Sequence, residues 1–264
     1  MFKNILIGQY IDTGSAMHGL DARVKIISVI AAAVMIFAAD RPVAVLYMIA
    51  LCVFFAVMAR ISPSALLRGI RPVIFLAVFT LVFNMFTAEG TELFSAGALV
   101  CTYEGLYAGA VSALRLIMLA AAASLLTLTT KPLDLTAAIE SLLSPLNFFR
   151  VPVRDIAVMM GISIRFIPTL GEEARRIADA QRSRCADFDG KGIVKKAAAA
   201  LPLVVPLIAG AFRHSDALAE AMDARCYGMG RRTRMNAHKL GKNDEAAAGV
   251  MLAAALVLAG VELL

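Results

Sequence analysis

The chain has 264 residues, of which 60% are hydrophobic and only 17% are charged, and its mean hydropathy is +0.77. Soluble domains are nearer 45–50% apolar and about 25% charged, so the composition argues against an ordinary water-soluble domain and favours an integral membrane protein. Lys and Arg exceed Asp and Glu by 26 to 20. No Lys- or Arg-rich arm accompanies this excess, and we expect no binding to nucleic acid.

Cysteine usage and motif content exclude several further classes. The four cysteines, Cys52, Cys101, Cys185 and Cys226, form no C-x-x-C pair and no cluster with histidine. Neither a disulfide scaffold nor a zinc site is therefore expected. No combination of nucleophile, acid and base is recognisable, so we predict no catalytic residues, no metal site and no directly bound cofactor.

Five apolar segments with few charges predict the membrane-spanning helices, at 24–39, 43–59, 73–88, 106–128 and 246–261. A helix needs about 17–25 residues to cross roughly 30 Å of hydrocarbon. We therefore predict an all-α membrane protein, with four membrane helices in residues 1–130 and a fifth in residues 245–264. No segment has the pattern of a strand.

The distribution of Lys and Arg predicts the orientation, because basic residues are retained on the cytoplasmic side. The five connecting segments, in chain order and starting with the N-terminal one, hold 3, 1, 3, 0 and 18 of these residues. The alternation predicts a cytoplasmic N-terminus and an external C-terminus for a multi-pass protein of the bacterial cell membrane.

Residues 131–244 are predicted to form a cytoplasmic block of amphipathic helices. Apolar residues between 153 and 184 recur at helical spacing among charged ones. Residues 197–211 are also apolar, and a sixth span there is an open alternative. We favour a helix lying along the membrane, because a span would move Arg231, Arg232 and Arg234 to the external side and would contain Pro202 and Pro206.

A short internal repeat marks two predicted helix ends. The segments 178–185 and 219–226 match at Ala, acid, Ala, Arg and Cys. Each presents one arginine after a small residue, in Ser183-Arg184-Cys185 and in Ala224-Arg225-Cys226. One interpretation is a cation that stabilises a helix C-terminus, by about 0.3–1 kcal/mol. The other is a pair of side chains that enter carboxylate-lined grooves on a cytoplasmic partner, since the guanidinium binds carboxylate with two hydrogen bonds.

The fourth apolar segment contains one charge and one small-residue motif. Arg115 lies well inside the segment, where a charge usually faces protein or water. Asn84 is one candidate partner, and a contact with another subunit is the alternative. Gly105 and Gly109 form a G-x-x-x-G motif that predicts close helix packing, and we favour packing within this chain over packing between chains.

Three stretches resemble the T component of energy-coupling factor (ECF) transporters, the EcfT/CbiQ family. Gly8-Gln9-Tyr10, followed by His18, Leu20-Asp21, Arg23 and Lys25, is similar to the opening of that family. Arg165-Phe166-Ile167-Pro168 with Ala180-Gln181-Arg182-Ser183-Arg184, and later Ala221-Met222-Asp223-Ala224-Arg225, are similar to its two arginine signatures. The resemblance follows the same order over nearly the whole chain.

The resemblance implies a non-catalytic scaffold with several partners. Two ABC-type ATPase subunits would bind Ser183, Arg184 and Cys185 at one coupling helix and Ala224, Arg225 and Cys226 at the other, and would themselves hold ATP and Mg. A separate substrate-binding S component would carry a vitamin or a metal ion, and membrane lipid would surround the scaffold. The chain has no G-x-x-x-x-G-K-[ST] loop, which is consistent with a scaffold that does not hydrolyse ATP.

The sequence departs from the family pattern at two cysteines, and one alternative function stays open. Cys185 and Cys226 stand where the family prefers glycine, and because cysteine adopts a positive φ less readily, the helices are expected to end slightly later than in the family. A stand-alone secondary carrier is the alternative function. Such carriers often have related halves and midplane charges, whereas here Arg115 is nearly alone and no repeat links the membrane helices.

Overall fold

The structure, a computed structural model, describes residues 10–11, 13–15, 17–87, 91–96, 99–149, 152–184, 193–230 and 241–263. The chain divides into two compact units. Of the described residues, those at 10–153 and 241–263 form the membrane unit, and those at 154–230 form the two-helix unit. The elements are almost entirely helical, which confirms the predicted all-α fold class.

The membrane unit contains the helices that correspond to the five predicted spans. They are α1 (Ala22–Ala38), α2 (Pro42–Met58), α3 (Pro63–Thr87), α4 (Tyr103–Thr129) and α8 (Lys242–Leu263). By length and composition, α3, α4 and α8 are sufficient to cross a membrane. The other two, α1 and α2, have 17 residues each, at the short end of the range for a spanning helix.

A short β-hairpin, which the sequence did not predict, joins α3 to α4. Strand β1 (Glu92–Ala96) pairs antiparallel with β2 (Leu99–Thr102). Its base is fixed to the start of α4, because the Thr91 amide donates to Glu104 Oε2 at 2.7 Å and the Thr102 hydroxyl accepts from the Gly105 amide at 3.2 Å. The hairpin lies between two long helices that run antiparallel to each other.

Small residues bring α3 and α4 close together. A Cβ at Gly109 would lie 2.9 Å from the Leu81 carbonyl oxygen and 3.2 Å from Asn84 Cβ. Farther along the same pair, Gly69 faces Ser124. Gly109 therefore packs against a helix of its own chain, as predicted.

Replacing Gly109 with alanine should destabilise the membrane unit by about 1–3 kcal/mol, because backbone atoms of α3 cannot yield as a side-chain tip would. The melting temperature of the purified protein in detergent measures this effect. Gly249→Ala is the matched control, since a Cβ there meets no atom within 4 Å. Equal melting temperatures for the two variants would contradict the close packing.

Arg115 binds the turn between α1 and α2. One guanidinium nitrogen donates to the Ala39 carbonyl and to Asp40 Oδ1, both at 2.7 Å. Asn84, which was one candidate partner, does not fill this role, and its amide donates to Thr80 O on its own helix. Because α1 is short, its C-terminal end lies beside the middle of α4. The number of apolar residues in each segment does not predict how the helices are aligned along the membrane normal.

The same turn is fixed to the end of α8. The backbone amides of Asp40 and Arg41 donate to Glu262 Oε1 at 2.9 and 3.2 Å, and Arg41 Nε lies 3.9 Å from Glu262 Oε2. Arg115 thus takes part in a group of charges that joins α4 and α8 to the turn between α1 and α2.

At the opposite end of the unit, the opening motif joins α1 to α4 and α8. Lys25 Nζ donates to the Thr129 carbonyl at 3.0 Å, at the last residue of α4. The buried Asp244, near the start of α8, accepts from the backbone amides of Asp21 and Gly241 at 2.8 Å each. Asp21 also caps α1 by accepting from the Arg23 amide.

Residues just after α4 pack with the membrane unit, and the cytoplasmic block predicted at 131–244 stays a prediction. Helix α5 (Pro132–Leu143) contacts α1, and it and the 3-10 helix Ser144–Phe149 belong to the membrane unit. The boundary between the two compact units falls at 153/154. The two-helix unit contains nearly all of α6 (Val153–Ser183) and the whole of α7 (Ile193–Ala224).

Candidate functional site

Two side-chain contacts show how α6 and α7 cross. The rings of Phe166 and His214 meet edge to face, with their centroids 6.2 Å apart. Glu173, seven residues after Phe166 on α6, lies against Gly210, four residues before His214 on α7. A Cβ at Gly210 would stand 2.9 Å from the Glu173 Cδ atom. The contacts occur in opposite order along the two helices, so α6 and α7 run in opposed directions where they cross.

The predicted arginines lie on opposite sides of this crossing. Arg184 follows Glu173 by 11 residues, and Arg225 follows His214 by 11 residues. At 1.5 Å per residue each arginine is about 16 Å along its helix from the nearer contact. The helices end at Ser183 and Ala224, the matching residues of the sequence repeat, as predicted.

Arg184 and Arg225 are both exposed, and neither forms an ion pair with any residue that the structure describes. Ser183 and Ala224, the small residues before them, are exposed as well. The neighbouring Arg182 differs, since its guanidinium lies 3.3 Å from Asp179 Oδ1. Cys185 lies outside the described residues.

The end of α7 is a Schellman motif with cysteine in the position that usually holds glycine. The Tyr227 amide donates to the Met222 carbonyl at 3.0 Å and the Cys226 amide to the Asp223 carbonyl at 2.9 Å. Cys226 has φ +56°, in the left-handed region. The expectation that cysteine would delay the helix end was wrong for α7, because the two capping hydrogen bonds hold Cys226 in this conformation.

Replacing Cys226 with glycine should stabilise the chain by about 0.5–1 kcal/mol, because glycine adopts the left-handed conformation without strain. The gain is smaller than the strain itself, because glycine loses more conformational entropy than cysteine when the chain folds. The melting temperature should rise by about 1–3 °C in a chain of this size. Cys226→Ala is the control, because it removes the thiol and keeps Cβ; a rise of equal size in that variant would show that strain is not the cause.

Apolar side chains are exposed along both crossing helices and beside Arg225. On α7 the exposed set includes Leu201, Val205, Ile208 and Phe212, and on α6 it includes Ile156, Met159 and Ile167. Tyr227 and Met229, just after Arg225, are 40% and 84% exposed. Arg, Tyr and Met are enriched in protein interfaces, so the surroundings of Arg225 have the composition of a binding surface.

The fold and these surfaces define an integral membrane protein of transmembrane helices with a second unit of two crossed helices. The family model described as cobalt transport protein, CbiQ, matches residues 13–236. Several curated proteins named "Energy-coupling factor transporter transmembrane protein EcfT" are similar over most of the chain. The chain belongs to the CbiQ/EcfT family and is the T component of an ECF transporter.

Three of these relatives illustrate the extent of the similarity. The protein from Thermosediminibacter oceani is 44% identical over 246 residues, 93% of each chain. The one from Ruminiclostridium cellulolyticum is 41% identical over 251 residues, 95% of this chain and 94% of the relative. The one from Acidaminococcus fermentans is 42% identical over 260 residues, 98% and 97% of the two chains. The family resemblance predicted from the sequence is therefore confirmed.

Proposed function

We propose that the chain couples ATP hydrolysis by two ABC-type ATPase subunits to the uptake of a vitamin or a metal ion through a substrate-binding S component. One ATPase subunit binds the end of α6 at Ser183, Arg184 and Cys185, and the other binds the end of α7 at Ala224, Arg225 and Cys226. The ATPases hold ATP and Mg, and this chain binds neither.

The observation that supports this proposal best is the placement of two equivalent arginines at the far ends of a crossed helix pair. Each is exposed and lacks an ion pair among the described residues. A crossed pair gives two ends that move apart or together when the crossing angle changes. This geometry suits a scaffold that receives motion from two separate subunits.

Arginine at a helix end also has a purely structural explanation, as a cation that complements the helix dipole. That effect contributes about 0.3–1 kcal/mol at an exposed site and requires only positive charge. A carboxylate groove requires the planar guanidinium, because lysine cannot form two parallel hydrogen bonds to one carboxylate. The two explanations therefore differ in their response to lysine, and Arg184→Lys with Arg225→Lys should restore only part of the ATPase binding.

We further propose that the chain is a multi-pass protein of the cell membrane, with its N-terminus in the cytoplasm and its C-terminus outside. The packing supports this orientation. The start of α1, the end of α4 and the start of α8 lie together through Lys25, Thr129 and Asp244. Arg23 and Lys131 belong to this same end, whereas the turn at Asp40 lies with the end of α8.

Affinity purification of the full chain from native membranes tests the proposed partners. The expected result is recovery of two ATPase subunits and one integral membrane S component, and loss of both ATPases from the variant with glutamate at Arg184 and Arg225. Transport of a solute by the purified chain alone in vesicles would contradict the proposal and favour a secondary carrier.

A further inference from the structure

A cavity of about 510 Å³ lies inside the membrane unit, between α1, α2, α4 and α8. Its floor is formed by Ile36, Met48 and Met251, which are 2%, 2% and 8% exposed. Phe54 of α2 and Val250 of α8 also line it, and these two side chains are about half exposed. The cavity therefore opens on the outer surface of the unit, between α2 and α8.

The cavity exists because α2 and α8 touch at one end only. The Tyr47 hydroxyl donates to the Ala254 carbonyl at 3.3 Å, and Arg41 pairs with Glu262 beyond it. Toward the other end of α8 the cavity is lined by Ala246 and Ala247, whose side chains are short. The cavity therefore lies between the two helices toward the start of α8.

Volume and chemistry limit what fills this space. Water needs two to four polar partners, and most of the lining is aliphatic or aromatic. A flexible hydrocarbon chain fits, and the rim at Phe54 and Val250 is continuous with the apolar surface of membrane-spanning helices. We propose that one acyl chain of a membrane phospholipid occupies the cavity.

The polar side chains in the lining fix the direction of the lipid. Lys25, Thr129 and Asn243 line the cavity at the end where α1 and α8 begin and α4 ends. Lys25 Nζ already donates to the Thr129 and His18 carbonyls, and the carboxylates of Asp21 and Asp244 are buried nearby. The exposed Asn243 is left to contact the headgroup, so the site retains a lipid through its chain, without requiring an anionic headgroup.

Native mass spectrometry of the purified full chain tests this site. Ala247→Trp places a large ring in the cavity, whereas Ala248→Trp places the same ring on the adjacent exposed position, which does not line the cavity. We expect one phospholipid to stay bound to the wild-type chain and to Ala248→Trp, and its occupancy to fall at least about tenfold in Ala247→Trp. Equal retention by the two variants, or an adduct that is only detergent, would overturn the proposal.

Cys52 provides a second readout that does not depend on how well the tryptophan variants fold. Its thiol lines the cavity, and serine at the three other cysteines leaves it as the single reactive site. Removal of lipid from this variant should speed alkylation of Cys52 by N-ethylmaleimide, and adding phospholipid back should slow it again. A rate that is indifferent to phospholipid would show that no acyl chain occupies the cavity.

Discussion

Replacing Arg184 and Arg225 together with glutamate is expected to abolish co-purification of the ATPase subunits while leaving the chain folded in the membrane. Each arginine is exposed and lacks an ion pair among the described residues, so the folded chain loses little when it is replaced. In a complex, loss of one partner from a buried charged pair costs about 2–5 kcal/mol, which weakens binding at least about 30-fold per arginine. Glutamate adds repulsion against a carboxylate-lined groove.

Matched controls separate docking from general surface charge. Arg176 and Arg213 are exposed arginines on the same two helices, away from the helix ends. Glutamate at both positions makes the same change in net charge and should leave ATPase binding nearly intact. Equal loss of ATPases from this control, or intact complexes with glutamate at Arg184 and Arg225, would contradict the proposed role of the helix ends.

Replacing Gly210 with leucine should reduce uptake at least about tenfold while the ATPases still co-purify, because overpacking at the crossing costs roughly 1–3 kcal/mol. Gly210 is buried, and even a Cβ there would meet the carboxylate group of Glu173. Because the nearest atoms belong to the flexible tip of the Glu173 side chain, a Cβ alone could be accommodated, whereas the full leucine side chain should displace α6 from α7 at the crossing. Solute uptake by proteoliposomes that contain the whole transporter measures the effect.

Gly171 offers the control for this variant, since it lies on α6 close to the crossing and a Cβ there meets no atom within 4 Å. Gly171→Leu should leave uptake nearly unchanged. Removing the opposing carboxylate with Glu173→Ala should restore part of the uptake lost in Gly210→Leu, because it frees the space that leucine needs. If Gly171→Leu is as damaging as Gly210→Leu, the crossing has no special role in uptake.

The membrane helices were predictable because they depend mainly on composition. The fourth apolar segment, predicted at 106–128, lies within α4, Tyr103–Thr129. The third was predicted to begin ten residues too late, at 73, because Arg68, Arg71 and Pro72 resemble a connection, whereas the structure places all three in α3. Pro72 lies within the third turn of this helix and the two arginines are exposed on its surface.

The relative depths of the helices were not predictable, because they depend on packing between segments far apart in the chain. Asp40 and Glu262 are separated by 222 residues, and nothing local indicates that Glu262 binds the Asp40 amide or that Arg115 binds the Asp40 carboxylate. Asp244 was missed for the same reason, since its two hydrogen bonds to backbone amides depend on where α8 begins relative to α1. An acidic residue two positions into an apolar helix is the signal that could have identified it.

The two helix ends were predictable, whereas the crossing of the helices was not. The repeat at 178–185 and 219–226 located both helix ends, because a small residue followed by Arg and Cys occurs twice in the same context. The crossing was not apparent, since Phe166, Glu173, Gly210 and His214 are ordinary residues of amphipathic helices when each helix is considered alone. The backbone conformation of Cys226 also depends on capping hydrogen bonds that sequence preference does not disclose.

An experimental structure of the assembled transporter with both ATPase subunits bound would show what surrounds Arg184 and Arg225. Each guanidinium should lie within about 3 Å of a carboxylate, one in each ATPase subunit. Guanidinium groups that face lipid or solvent, with the ATPases bound to another surface of the chain, would contradict the proposed role of the two arginines.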